Sequence, residues 1–326
     1  MERTRVVLVD AFASQPLAGT AAGVVPAADD LEDEQRQAIA RELAVSETAF
    51  VSASDRADYR LRYHTPTQEI DCSGHASIAT FVHLAEDGVI DPGTLSIQTN
   101  GGVLEVTVEA DGSVWMSQDD PTVIEVDVEY ERLADALGVD ELALSDLEAD
   151  LPVAVASTGI SYLIVPVAYL EHVGGATPDQ TAIEELSDEF DVTGVYLFTF
   201  DALSAESTVH GRMFAPRVGI AEDPVTGTAS GAVGAYLRRF GAIVDTDDPT
   251  AMAAVAGPEG VSLATDGDHE PTAPDELQCE QGHFVNRPGT VRVRIDGPIR
   301  IGGRGIVSLD GSIVVPEPDR DDILEV

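Results

Sequence analysis

Lysine is absent from all 326 residues, and each of the 18 basic side chains is arginine. A Schiff-base amine for pyridoxal phosphate or aldolase-type catalysis is therefore excluded, and ordinary PLP racemases with it. Cysteine is nearly as scarce. Cys72 and Cys279 are the only two and show no CxxC spacing, so neither a disulfide framework nor a thiol-built zinc cluster can be assembled, which fits a reducing cytosol. Long apolar runs are missing too. No stretch approaches about 18 uninterrupted apolar residues, and the opening MERTRVVLVDAFASQPLAG lacks the apolar run of a secretory signal. The expectation is a cytoplasmic protein with no membrane partner.

Positive charge is in short supply, with 59 acidic residues against 18 arginines and a formal net charge of -41. Such a surface repels nucleic-acid phosphates and anionic membranes, so no nucleic-acid partner is expected. Self-repulsion of this size opposes compaction in dilute buffer. At molar salt the Debye length falls to about 3 Å and the penalty is screened. The acids are spread among apolar periodic segments rather than gathered in a tail, which reads as adaptation to high salt.

What is present is enough apolar content, 44%, for two cores of ordinary domain size. Strand-like runs at Val6 to Val9 and Ala22 to Val25 form a hairpin-like start, and Glu32 to Leu43 has helical spacing. Strands follow at Thr48 to Val51 and Tyr59 to Tyr63, then a small, apolar helix after Gly74 that runs to a stop at Gly88. Leu95 to Thr99, Val103 to Val108 and Val114 to Ser117 read as antiparallel strands joined by glycine turns. The order then recurs: strands at Val153 to Ala156 and Tyr162 to Val165, a helix over Thr181 to Phe190, a strand at Gly194 to Phe200, a helix over Gly227 to Phe240, and strands at Val291 to Ile295 and Ile306 to Leu309.

The two glycine-started helices also match in sequence. Aligning Ser73 to Leu84 with Thr226 to Leu237 pairs Gly74 with Gly227, Ala76 with Ala229, Ser77 with Ser230, Ala79 with Ala232 and Leu84 with Leu237. This points to a duplicated unit, with residues 1–118 as one half and 119–326 as the other. The last strands are allowed to cross back to the first half. The polar stretch from Asp266 to Asp275 suggests no role.

A helix start offers unpaired N–H groups and a positive dipole end, so two such starts facing each other make a carboxylate clamp. Ser73, Thr226 and Thr228 add hydroxyls beside Gly74, Gly227 and Ala229. His75, at a helix N-terminus, is expected to be neutral and able to relay a proton. Asp223 either receives helix N–H groups or points into the cleft. Read alone, Glu47 is a surface residue or cap ahead of an apolar strand. His64, Asp71 and His83 match no metal-ligand spacing, so no metal site is expected.

Glu222-Asp223-Pro224-Val225-Thr226-Gly227-Thr228-Ala229 resembles the EDPxTGSA signature of the phenazine-biosynthesis PhzF-like family. Ser73-Gly74-His75-Ala76-Ser77 resembles its CGHAT segment, and Ser46-Glu47-Thr48-Ala49-Phe50 its SETxF segment. Val9-Asp10-Ala11-Phe12, Pro16-Leu17-Ala18-Gly19, Ser157-Thr158-Gly159, Arg212 to Pro216, Gln281-Gly282 and Arg287-Pro288 fit the same family in the same order. The resemblance implies an α+β, diaminopimelate epimerase-like fold. Its two pseudo-symmetric domains would each wrap a curved antiparallel sheet round a central helix, with the active site between them.

It further implies a cofactor-independent isomerase acting on a small carboxylate, and a homodimer. Glu47 would carry the proton, with His75, Asp223 and Thr228 completing the site. The chain departs from the pattern at Ser73 for cysteine, Thr228 for serine, Ser77 for threonine and Thr20 for asparagine. Two alternatives remain. A two-base epimerase of the diaminopimelate type needs a thiol from each half, and the second half has none at Thr228. A non-catalytic small-molecule binding protein would keep the fold and the anion clamp without turnover.

Overall fold

Helix 33–43 is amphipathic, with Ile39 and Ala40 on its buried face and a reciprocal cap in which the Gln35 side chain accepts from the Glu32 N–H. It ends at Ala44, whose left-handed φ of 53° turns the chain into the strand that begins at Glu47. The computed structural model describes residues 2–145, 147, 151–242 and 274–317. The stretch 266–275 lies outside the described residues apart from Pro274 and Asp275.

The remaining elements repeat one pairing order twice. In the first run Arg3–Ala11 pairs antiparallel with Thr20–Val25, which lies parallel to Glu47–Ser52. That strand pairs antiparallel with Tyr59–His64, which lies parallel to Gly93–Gln98, followed by the antiparallel strands Val103–Val108 and Val114–Ser117. The second run matches it step for step: Ala154–Ser157, Ser161–Pro166, Gly194–Thr199, Val209–Ala215, Glu276–Gln281, Gly289–Arg294 and Arg300–Gly303, with the same alternation of directions. Among the described residues each half therefore contains two parallel pairings, so the curved sheets expected to be antiparallel are mixed. A parallel pair needs a crossover, and helices supply it: 33–43 and Gly74–Glu86 in the first half, 180–189 and Gly227–Phe240 in the second.

Among the described residues, two pairings join the halves into one sheet of eighteen strands. Arg300–Gly303 adds to Val114–Ser117, and the final strand Gly305–Val314 returns to lie beside Arg3–Ala11. We propose that the halves divide at 118/119, with Gly305–Val314 counted in the first half on the strength of that pairing.

Inside each half runs one central helix. Gly74–Glu86 buries every residue from Ala76 to Leu84, and Gly227–Phe240 buries nearly its whole length, so both are apolar all round rather than striped. Their buried hydroxyls stay paired within the helix: Ser77 and Thr80 donate to the carbonyls of Ser73 and Ala76, and Ser230 to that of Thr226. Among the described residues, no helix is long and apolar enough to cross a membrane.

Candidate active site

The two central helices start on either side of one side chain. A β-carbon added at Gly74 would lie 3.9 Å from Ile301 Cδ1, and one at Gly227 would lie 2.9 Å from the same atom. Around that point opens a cleft of about 250 Å³. Of the residues singled out in the sequence, Glu47, Ser73, Gly74, His75, Asp223, Thr226, Gly227 and Thr228 all line it. Ala229 does not, because its side chain is fully buried in the core and only its N–H belongs to the helix start. The rest of the wall is largely apolar, including Ile70, Ile160, Met213 and Ile220, and no arginine is among the described lining residues.

Glu47, the first residue of its strand, places Oε2 2.8 Å from His75 Nε2. The approach is close but off the hydrogen-bond line, so Oε2 is shielded from solvent without a well-aligned donor. The Ser46 hydroxyl sits 3.2 Å from the same imidazole nitrogen. Burial pushes the Glu47 carboxyl up, but adjacent His75 and the Ser46 hydroxyl together hold it below the usual carboxylate range. For His75, burial acts downward, and the contact with Glu47 together with the charges of Glu47 and Asp223 outweighs it, so its pKa is raised. This corrects the expected downward shift of the imidazole: a carboxylate in contact is stronger than a helix dipole. The contact thus favours the carboxylate form of Glu47 and the imidazolium form of His75.

Asp223 faces this pair from the other half. Burial, with the Glu47 charge adding to it, lifts its carboxyl to about 6, against the pull of the Thr226 hydroxyl and the His75 charge. Its strand is fixed by Arg212, whose guanidinium forks onto Glu222 at 2.9 and 2.8 Å and donates to the carbonyls of Val173 and Ala176. Two motifs set apart in the sequence, Arg212 to Pro216 and Glu222 to Ala229, thus support one carboxylate.

The helix starts differ in capping. Ser73 Oγ accepts from the Ala76 N–H at 3.4 Å, whereas Thr226 gives its helix no side-chain cap and instead donates to Asp223 Oδ2 at 2.7 Å. The first N–H groups of the second helix are thereby left for an anion. Thr228 Oγ1 lies 2.7 Å from the hydroxyl of buried Tyr162, which also lines the cleft.

Residues the sequence reading left without a role are Ser46, Tyr162 and Gln281, each of which meets the site only through tertiary contact. Thr20 also gains one: its hydroxyl donates to the Val225 carbonyl at 2.7 Å and accepts from the Val225 N–H at 3.0 Å, tying the halves together beside Thr226. An asparagine carboxamide can make the same pair of bonds, which accounts for that departure from the family pattern. His64 and His83 are buried apart from the cleft, and among the described residues no three metal-ligating side chains converge.

A family model described as phenazine biosynthesis-like protein, PhzC-PhzF, matches residues 9–315. The chain belongs to the PhzF-like family. It is 39% identical over 246 residues to the uncharacterized isomerase YfhB of Bacillus subtilis, covering 74% of this chain and 83% of that protein. With the uncharacterized isomerase YddE of Escherichia coli it shares 37% identity over 293 residues, 88% and 95% of the two chains. The crystal structure of a Bacillus anthracis phenazine biosynthesis protein of the PhzF family superposes with a TM-score of 0.79 at 30% identity, covering 97% of this chain and all of that one. This PhzF-like chain is an isomerase with the α+β diaminopimelate epimerase-like fold.

Proposed function

We propose that the chain is a cofactor-independent isomerase that moves one proton between carbons of a small carboxylate-bearing metabolite, with Glu47 as both base and acid. The observation that carries this is Glu47 Oε2, shielded from solvent without an aligned donor 2.8 Å from His75, in a cleft with Asp223 opposite. The substrate carboxylate docks at the uncapped start of helix Gly227–Phe240. Glu47 takes a proton from carbon, and the electron pair delocalises toward the carboxylate end, where helix N–H groups and the protonated form of Asp223 stabilise it. Glu47, now a carboxylic acid, returns the same proton to a second carbon. One C–H bond breaks and another forms, with no net oxidation.

The pseudo-symmetry favours one base over two. In the matched pairing order, Glu47 beside Ala22 corresponds to Gly194 beside Tyr162. A β-carbon at Gly194 would lie 2.3 Å from the Phe214 carbonyl oxygen, so no side chain fits at the mirror position. Nor is a thiol pair at hand: Cys72 is exposed at the cleft wall, and burial in the core pushes the Cys279 thiol up to about 12.

Incubation with small carboxylates in D2O, dihydro-hydroxyanthranilate first, tests the reading. Isomerisation or solvent exchange should appear with wild type and drop at least about 10²-fold in Glu47→Gln. Inversion at an α-carbon that survives Glu47→Gln would instead support the two-base epimerase, and binding without proton movement a non-catalytic protein. We further propose a cytoplasmic homodimer working at high salt. The homodimer rests on family resemblance, and sedimentation in molar KCl checks it.

A further inference from the structure

Gln281 ends the strand Glu276–Gln281, is 1% exposed, and lies directly behind the Asp223 to Thr226 turn. Its carboxamide is fully engaged. Oε1 accepts from the Thr226 N–H at 3.1 Å, while Nε2 donates to the Asp223 carbonyl at 2.8 Å and to Thr226 Oγ1 at 3.2 Å. A flipped carboxamide would set N–H against N–H and oxygen against oxygen, so the network itself fixes its orientation. The close approach depends on Gly282, at φ 85°, where a β-carbon would lie 2.7 Å from the Pro224 carbonyl oxygen.

This network has a direction. Because Thr226 Oγ1 receives a hydrogen from Gln281, its own hydrogen is left for Asp223 Oδ2, 2.7 Å away. Oδ2 is then an acceptor only. We propose that Gln281 is a positioning residue that, acting through the Thr226 hydroxyl, confines the acidic proton of Asp223 to Oδ1 and keeps Thr226 from capping its own helix. The charged groups facing Asp223 are Glu47 and His75, with the neutral hydroxyls of Tyr162 and Tyr196 behind. The inference takes Asp223 as a site residue, but its readout needs no turnover, so it can fail independently of the proposed reaction.

The test is a pH titration of carboxyl carbon-13 resonances in aspartate-labelled protein, with Asp223→Asn used to assign the signal. Thr226→Val removes the bond that favours the charged form, and the Asp223 midpoint should move up from about 6 by about one pH unit. Gln281→Met should move it in the same direction by a smaller amount and add nothing in the Thr226→Val background. If Gln281→Met does not fold, Gln281→Asn, one methylene short of Thr226, gives the same readout. An unmoved midpoint in the Gln281 variants, or a Gln281 effect that adds fully to that of Thr226→Val, would overturn the proposal.

Discussion

Replacing Asp223 by asparagine should make this protein more stable at neutral pH while damaging its activity. Burial raises the folded-state carboxyl from the ordinary 3.8 to about 6, a difference of 6 - 3.8 = 2.2 pH units. A group whose pKa is raised on folding contributes its full stability below the unfolded value and loses it as pH climbs through the folded one. With 1.36 kcal/mol per pH unit, wild type should lose about 0.5 kcal/mol at pH 4 and about 3 kcal/mol above pH 7 relative to a group that never ionises. Asparagine is such a group, and its carbonyl can still accept from Thr226, so packing is preserved. Denaturant unfolding of both proteins at pH 4, 6 and 8 should show the Asp223→Asn advantage growing with pH across that window. An advantage that is flat with pH, or that shrinks, would refute the reading of Asp223 as a carboxyl strained by burial. Activity should fall by at least about 10²-fold at every pH if the proton on Asp223 is used in the reaction.

His75→Asn removes the charge that holds Glu47 down and leaves the burial that pushes it up, so the acid limb of kcat/KM, where Glu47 must be ionised, should move to higher pH. A limb that stays in place would show that His75 does not control the base. Thr20→Val strands the buried N–H and carbonyl of Val225 and should cost about 2 to 3 kcal/mol in denaturant unfolding, whereas Thr20→Asn should cost far less. Raising KCl from 0.1 to 2 M should raise the thermal midpoint, since the net charge of -41 is then screened within about 3 Å. A falling midpoint would contradict adaptation to salt.

Elements whose physical cause is local were readable from the chain. The helix at Gly227–Phe240 has a glycine start and a run of small and apolar residues, and the strand Val103–Val108 is bounded by turn glycines; both lie where the spacing put them. Val209–Ala215 was missed because it is buried on both faces, has no alternation, and carries Arg212 and His210 inside, tolerated only because Arg212 finds Glu222. Arg300–Gly303 has two glycines in four residues and becomes a strand because neighbours pair with it on both sides. The short, largely exposed Thr122–Glu125 is likewise a strand only through its partner Ala154–Ser157.

The same division runs through the site. Glycine helix starts, an acid before each and a histidine after the first are covalent neighbours, so a linear chain displays them, and their duplication follows from the order of the elements. Charge state is different, because it depends on what comes within a few ångströms in space. The chain alone suggested a lowered His75 pKa and a superficial Glu47; their contact at 2.8 Å raised the one and lowered the other, and burial lifted Asp223. The absence of lysine excluded Schiff-base chemistry before any fold was known. That Glu47 has no counterpart in the second half, with Gly194 in its place and Tyr162 reaching Thr228 instead, was decided only by strand pairing and packing within that half.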